Sequence, residues 1–154
     1  MMAYAHVAHD CQIGNQVILA NSVALSGHVL VEDCAIIGGL SALHQFSRVG
    51  AHCMIAGCSG VSQDVPPYMM VSGQRARVYS LNSVGLKRRN FTGDAIRALS
   101  KAHHLLFRSR MGLKHALERI RTELPNCPEI EHLVTFIEGS QRGICRGISH
   151  HHDA

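Results

Sequence analysis

From Val7 to Val61 an aliphatic residue returns at every sixth position: Val7, Ile13, Leu19, Leu25, Val31, Ile37, Leu43, Val49, Ile55 and Val61. Four residues after each stands a small or β-branched one: Cys11, Val17, Val23, Val29, Ala35, Ser41, Ser47, Cys53, Ser59 and Val65. A helix would bring apolar residues back every three or four positions, and a simple strand every second. A period of six fits a short strand and a corner, three of which make one triangular coil of a parallel β-helix. The aliphatic residue points into the prism and the small one fits where two walls converge. Coils stack at roughly the 4.8 Å sheet spacing, so residues eighteen apart are vertical neighbours. The third hexad position (His9, Asn15, Asn21, Gly27, Asp33, Gly39, Gln45, Ala51, Gly57, Gln63) is rich in Gly, Asn and Asp. These residues tolerate positive φ most cheaply, which predicts the corner there.

Pro66 and Pro67 are expected to end the ladder, since proline cannot donate to it. Residues 68–90 read as a connector of loop and short elements. Three amphipathic helices then follow. Ile96, Leu99, His103 and Leu106 mark one near 92–109, with Thr92 as its cap. Leu113, Leu117, Ile120 and Leu124 mark a second near 112–124. Ile130, Leu133, Val134 and Ile137 mark a third near 129–139, set off by Pro125 and Pro128. The domain reading is coils over 1–67, connector over 68–90, helical domain over 91–146 and a disordered tail over 147–154. In that tail His150, His151 and His152 could take up metal adventitiously. The first coil has no polar lid, so either another chain covers it or further coils precede it.

The net charge of +4 favours anionic ligands without demanding nucleic acid. Aromatic residues are sparse and no base-stacking motif is present, which speaks against nucleic-acid binding. No apolar run approaches a membrane span, and no signal peptide is visible at the start. The six cysteines show neither disulfide-framework nor CxxC spacing, which suits a reduced cytoplasmic setting.

Of twelve histidines, His9 stands out. Eighteen residues on, at the same corner of the next coil, is Gly27, and His28 lies above Asp10. The stack brings together an imidazole, a carboxylate, a glycine N–H and a second histidine. A histidine beside a carboxylate is a plausible general base near neutral pH, and an unobstructed glycine N–H can donate to a developing oxyanion. Together they suit acyl transfer to a hydroxyl, although a polar corner residue is the plain alternative for His9. Lys87, Arg88 and Arg89 form either a solvated charge run or a clamp for phosphate oxygens.

The segments AHVAHDC (5–11), SGHV (26–29), AIIGG (35–39), HQF (44–46), GCSGVSQDVPPY (57–68) and NSVGLKRRNF (82–91) resemble the acyl-[acyl-carrier-protein]–UDP-N-acetylglucosamine O-acyltransferases of lipid A synthesis. The resemblance spans about residues 3–146. It implies a left-handed parallel β-helix with a small α-helical C-terminal domain, assembling as a homotrimer with sites between neighbouring prisms. It implies His9 as the base that deprotonates the sugar 3-hydroxyl, Asp10 as its orienting partner and Gly27 as the oxyanion N–H. His6, His28, His44 and Gln45 match sugar- and acyl-contacting positions. Asn82, Arg88 and Arg89 match positions that hold the nucleotide and its diphosphate. Gly57 matches the gate of the acyl tunnel, where glycine leaves room for a longer 3-hydroxyacyl chain. The implied partners are UDP-N-acetylglucosamine and an acidic acyl carrier protein bearing that chain; no metal or organic cofactor is implied.

Two departures accompany the resemblance. Val84 stands where the family often has an acidic residue near the uracil. The family also carries further coils before the position of Ala3, which supply an aspartate and a lysine to the site, so the chain reads as a C-terminal portion. The alternatives are an inactive fragment that keeps trimerisation, an enzyme like the N-acyltransferases acting later on UDP-3-O-acylglucosamine, and a zinc site like that of γ-class carbonic anhydrases. The last use a His-x4-His pair, whereas the close pair here is His6-x2-His9.

Overall fold

The computed structural model describes residues 1–148. Ten two-residue strands occupy the hexads: β1 (His6–Val7), β2 (Gln12–Ile13), β3 (Ile18–Leu19), β4 (Ala24–Leu25), β5 (Leu30–Val31), β6 (Ile36–Ile37), β7 (Ala42–Leu43), β8 (Arg48–Val49), β9 (Met54–Ile55) and β10 (Gly60–Val61). Every third strand pairs in parallel, with His6 opposite Ala24 and Gln12 opposite Leu30. Three walls result: β1-β4-β7-β10, β2-β5-β8, and β3-β6-β9 with a two-strand extension. The eighteen-residue stacking read from the hexads is therefore the register of the coil, and the fold is a left-handed parallel β-helix followed by helices.

The prism is sealed by the two inward series. Leu19, Leu25, Val31, Ile37, Leu43, Val49, Ile55 and Val61 are buried, as are Val23, Val29, Ala35, Ser41, Ser47, Cys53, Ser59 and Val65. Towards the N-terminal face the seal loosens, and Ile13 is 39% exposed.

The third hexad position lies in the corner turn as expected, but the left-handed backbone falls one residue later. Positive φ falls on the fourth hexad position: Tyr4, Asp10, Gln16, Ser22, His28, Cys34, Leu40, Phe46, His52 and Cys58. No glycine is among them, at a cost of roughly 1 kcal/mol each. The small residues of the third position answer a different demand, close vertical approach. A Cβ on Gly57 would stand 3.2 Å from the Gly39 carbonyl oxygen in the coil below. Three corners follow: a first at 8–11, 26–29 and 44–47, a second at 14–17, 32–35 and 50–53, and a third at 2–5, 20–23, 38–41 and 56–59.

Pro66 and Pro67 do not stop the ladder. They sit at a corner, where no wall N–H is needed, and the missing side chain of Gly50 makes room for Pro67. Beyond them β11 (Met69–Ser72) stacks in parallel on β9, Met70 opposite Met54, before β12 (Arg77–Leu81) turns back antiparallel. The expected connector thus holds two strands and a short helix, α1 (Ser83–Arg88).

The helical part comprises α2 (Gly93–Phe107), α3 (Leu113–Glu123) and α4 (Pro128–Glu138). The Thr92 side chain accepts from the Ala95 N–H and caps α2 as expected. Ala95, Ala98, Leu99, Ala102 and Leu105 form the deep stripe of α2, while Ile96, His103 and Leu106 sit at its edge. The chain end returns to the coils. Gly147 bridges to Val78 and the Ile148 N–H donates to the Val78 carbonyl, so the tail expected from Gly147 is ordered at its start. The expectation for His150, His151 and His152 lies outside the described residues. No helix among the described residues is long and apolar enough to cross a membrane.

Two polar clasps join helices to prism. Asp64, 1% exposed, accepts from the Arg48 N–H at 2.8 Å and the Ser140 hydroxyl at 2.6 Å. The Arg48 guanidinium lies 4.2 Å over the Phe136 ring. In the second clasp His132 of α4 joins the Tyr68 hydroxyl at 2.7 Å to Glu32 at 2.9 Å. Asp64→Ala strips two half-buried donors of their buried acceptor and should cost about 2 kcal/mol, read as a lowered urea midpoint. An unchanged midpoint would show that the clasp carries no stability.

His103 adds a pH dependence. Its Nε2 is sealed from solvent with no hydrogen-bond partner among the described residues. Burial, with the charges of Arg108 and His104, depresses its pKa to about 4. An unfolded histidine titrates near about 6.5, so the unfolded chain binds more protons between these values. Stability is therefore expected to fall as pH drops from 6.5 towards 4, and His103→Phe should flatten that slope. A parallel slope in the variant would assign the loss to other groups.

Candidate active site

The first corner assembles the chemistry expected of it. His9 and Asp10 form the turn after β1, and Asp10 takes the left-handed conformation at φ 58°. That turn places the Asp10 Oδ2 2.9 Å from His9 Nδ1. The hydrogen bond to His9, reinforced by the nearby charge of His28, holds the Asp10 carboxyl below its ordinary range. Both side chains remain open to solvent, at 67% and 65%.

His9 lies over Gly27 of the next coil. A Cβ on Gly27 would stand 2.6 Å from His9 Cε1 and 2.7 Å from Nε2, so the imidazole fills the space a side chain would need. His28 brings its Nε2 to 3.7 Å from Asp10 Oδ2 and meets the His9 ring edge to face at 5.1 Å. One carboxylate thus stands between two imidazoles. With Nδ1 bound to Asp10, the other nitrogen of His9 is available to take a proton from an incoming hydroxyl. His44 and Gln45 occupy the same corner one coil further, both exposed, with His44 Nδ1 3.0 Å from the Gln45 carbonyl oxygen. His6 is exposed on β1, on a wall whose other strands show Ala24, Ala42 and Gly60 at the same level.

The remaining candidates stand elsewhere on the prism. Gly57 is exposed at the third corner, stacked on Gly39. Asn82 and Arg89 belong to the second corner. The Asn82 side chain is buried and engaged internally, accepting from the Gly85 N–H at the start of α1 and donating to the His52 carbonyl at 2.9 Å. Arg89 reaches the Gln16 side chain, and Arg88 is exposed in the last turn of α1. Burial, then the charge of Arg89, lowers the His52 pKa. Val84 is 60% exposed on α1. A single chain therefore presents the His9 cluster and the arginines on different corners.

His9, Asp10 and His28 also form a group whose ligand atoms all lie within 4.8 Å of one another, a set of donors a divalent ion could use. Their side chains are exposed, and the hydrogen bond already made between His9 and Asp10 serves a proton acceptor equally well. Two residues that the sequence reading did not single out join these clusters. Phe46 stacks on His28, and Gln16 holds Arg89. Phe46 stands eighteen residues after His28, so the stacking rule could have found it.

Comparison with known proteins completes the picture. The family model described as "UDP N-acetylglucosamine O-acyltransferase; domain 2" matches residues 64–145. The acyl-[acyl-carrier-protein]–UDP-N-acetylglucosamine O-acyltransferase of Thermodesulfovibrio yellowstonii is 60% identical over 146 residues, covering 95% of this chain and 57% of that protein. The protein of the same name from Anaeromyxobacter is 46% identical over 145 residues, covering 94% and 56%. Among solved structures, the UDP-N-acetylglucosamine acyltransferase of Campylobacter jejuni superposes with a TM-score of 0.89 at 42% identity, covering 96% of this chain and 57% of that one. That of Francisella novicida gives 0.90 at 38%, covering 95% and 54%. The chain thus spans little more than half the length of these relatives.

Proposed function

Because the chain belongs to the UDP-N-acetylglucosamine O-acyltransferase family, we propose that it transfers a 3-hydroxyacyl group from acyl carrier protein to the 3-hydroxyl of UDP-N-acetylglucosamine. The observation that carries the reading is the His9 imidazole lying over Gly27 with Asp10 on its Nδ1. In this reading His9 Nε2 takes the proton of the sugar hydroxyl as its oxygen attacks the thioester carbonyl. Asp10 holds the Nδ1–H tautomer and stabilises the imidazolium that forms. The Gly27 N–H donates to the oxyanion of the tetrahedral intermediate. Collapse forms the ester, expels the thiolate and returns the proton from His9 to sulfur, so protons and bonds balance.

His6, His28, His44 and Gln45 then line the sugar and acyl subsites around that corner. Gly57 leaves the third corner open for a long acyl chain. Arg88 and Arg89 clamp the diphosphate, with Asn82 fixing the start of the helix that carries them. The acidic carrier protein suits the basic balance of the chain. The six thiols are free, which suits a reducing cytoplasmic setting.

Since the base and the arginines stand on different corners, a working site draws the His9 cluster from one prism and the clamp from another. The wall beside the first corner, with Ala24, Ala42 and Gly60, lets a second prism approach closely in a closed trimer. Co-assembly of His9→Ala with Arg89→Ala chains tests this. Each is inactive alone, and random mixing rebuilds about a quarter of the sites, restoring about a quarter of the wild-type rate. No restoration in mixed trimers would place the whole site on one chain.

A further inference from the structure

We infer that Phe46 is a positioning residue of the active corner, fixing the plane of His28 beside Asp10; this rests on the transferase reading only for its effect on rate. Phe46 adopts φ 66°, in the left-handed region, where a bulky side chain is costly. Burial does not compensate, because Phe46 is 55% exposed. What the ring does make is a face-to-face stack on His28, centroids 4.7 Å apart and planes within 13°. His28 is itself in the left-handed conformation, with its side chain 40% exposed. Among the described residues its ring makes no hydrogen bond of normal length, and Nε2 stands 3.7 Å from Asp10 Oδ2.

A stack of this kind restrains rotation about the bond to the imidazole while leaving the ring edge open. The vertical order Asp10, His28, Phe46 follows from eighteen-residue stacking, and the His28 backbone N–H is held by the His9 carbonyl at 3.0 Å. Backbone and stack together leave His28 one orientation, edge towards His9 and nitrogen towards Asp10. Phe46 acts through His28, on whose ring it stacks. Its contribution is to keep the second imidazole at the carboxylate that His9 relies on.

The test compares Phe46→Leu, which keeps apolar bulk but loses the flat face, with Phe46→Tyr, which keeps it. Exposure of the side chain predicts equal unfolding midpoints. Phe46→Leu should lower kcat about tenfold, a misplacement effect smaller than loss of the base, with KM for the nucleotide sugar unchanged. Phe46→Tyr should stay within twofold of wild type. In NMR, nuclear Overhauser contacts between the His28 and His9 rings, 5.1 Å apart edge to face, should weaken in Phe46→Leu and persist in Phe46→Tyr. Leucine and tyrosine variants that keep the same His28–His9 ring contacts would overturn the assignment. The NMR comparison needs no turnover, so it judges the positioning of His28 even if the chain transfers no acyl group.

Discussion

Replacing His9 by alanine is expected to lower acyl transfer by about 10²- to 10⁴-fold, the range lost with a positioned general base. The loss should fall on kcat, because the imidazole acts on the proton that moves only as the bond forms. Folding should be unaffected. The His9 side chain is 67% exposed, and the link this residue makes to the next coil runs through its backbone carbonyl to the His28 N–H. A variant with an unchanged unfolding midpoint and lost transfer separates chemistry from structure. Retention of most activity would remove His9 from the reaction and leave it a polar corner residue.

Adding one methyl group at Gly27 should be almost as damaging, by about 10²-fold, through displacement of the base. The new Cβ would come within 2.7 Å of two atoms of the His9 ring, closer than such contacts allow. The ring is an exposed side chain and can swing aside, so Gly27→Ala should fold with nearly wild-type stability. In swinging, however, the ring leaves the Gly27 N–H and its hydrogen bond to Asp10. Matched measurements of unfolding midpoint and transfer rate test this. Lost stability with retained rate per folded molecule would mean that Gly27 serves packing alone.

Periodicity made the coil legible, and the coil made part of the site legible. The hexads fixed which residues share a corner, and that placed Asp10 under His28 and His9 over Gly27 before any coordinates. The corner was legible, but its positive φ falls one residue beyond the expected position, because glycine and asparagine signal two things, tolerance of positive φ and tolerance of close approach. Here the second applies at Gly39 and Gly57, while Leu40 and Cys58 carry the positive φ. Pro66 and Pro67 misled for a related reason. Proline ends a wall only where its N–H would be needed, and at a corner beside Gly50 it is not.

Contacts without a period were not legible. The hydrogen-bonded line from Tyr68 through His132 to Glu32 joins residues 100 positions apart in sequence at its longest step. The return of Gly147 to Val78 has no composition signal either. Asn82 is a middle case. Only the resemblance names it, as a nucleotide-holding position, and its engagement of the His52 carbonyl and the Gly85 N–H emerges only in three dimensions.

The most direct test is acyl transfer itself, using the 154-residue chain, a 3-hydroxyacyl carrier protein and UDP-N-acetylglucosamine, with mass detection of the acylated sugar nucleotide. The account predicts the 3-O-acyl product, formed in step with release of the carrier thiol and absent with His9→Ala. A folded trimer that yields no product under these conditions would contradict it.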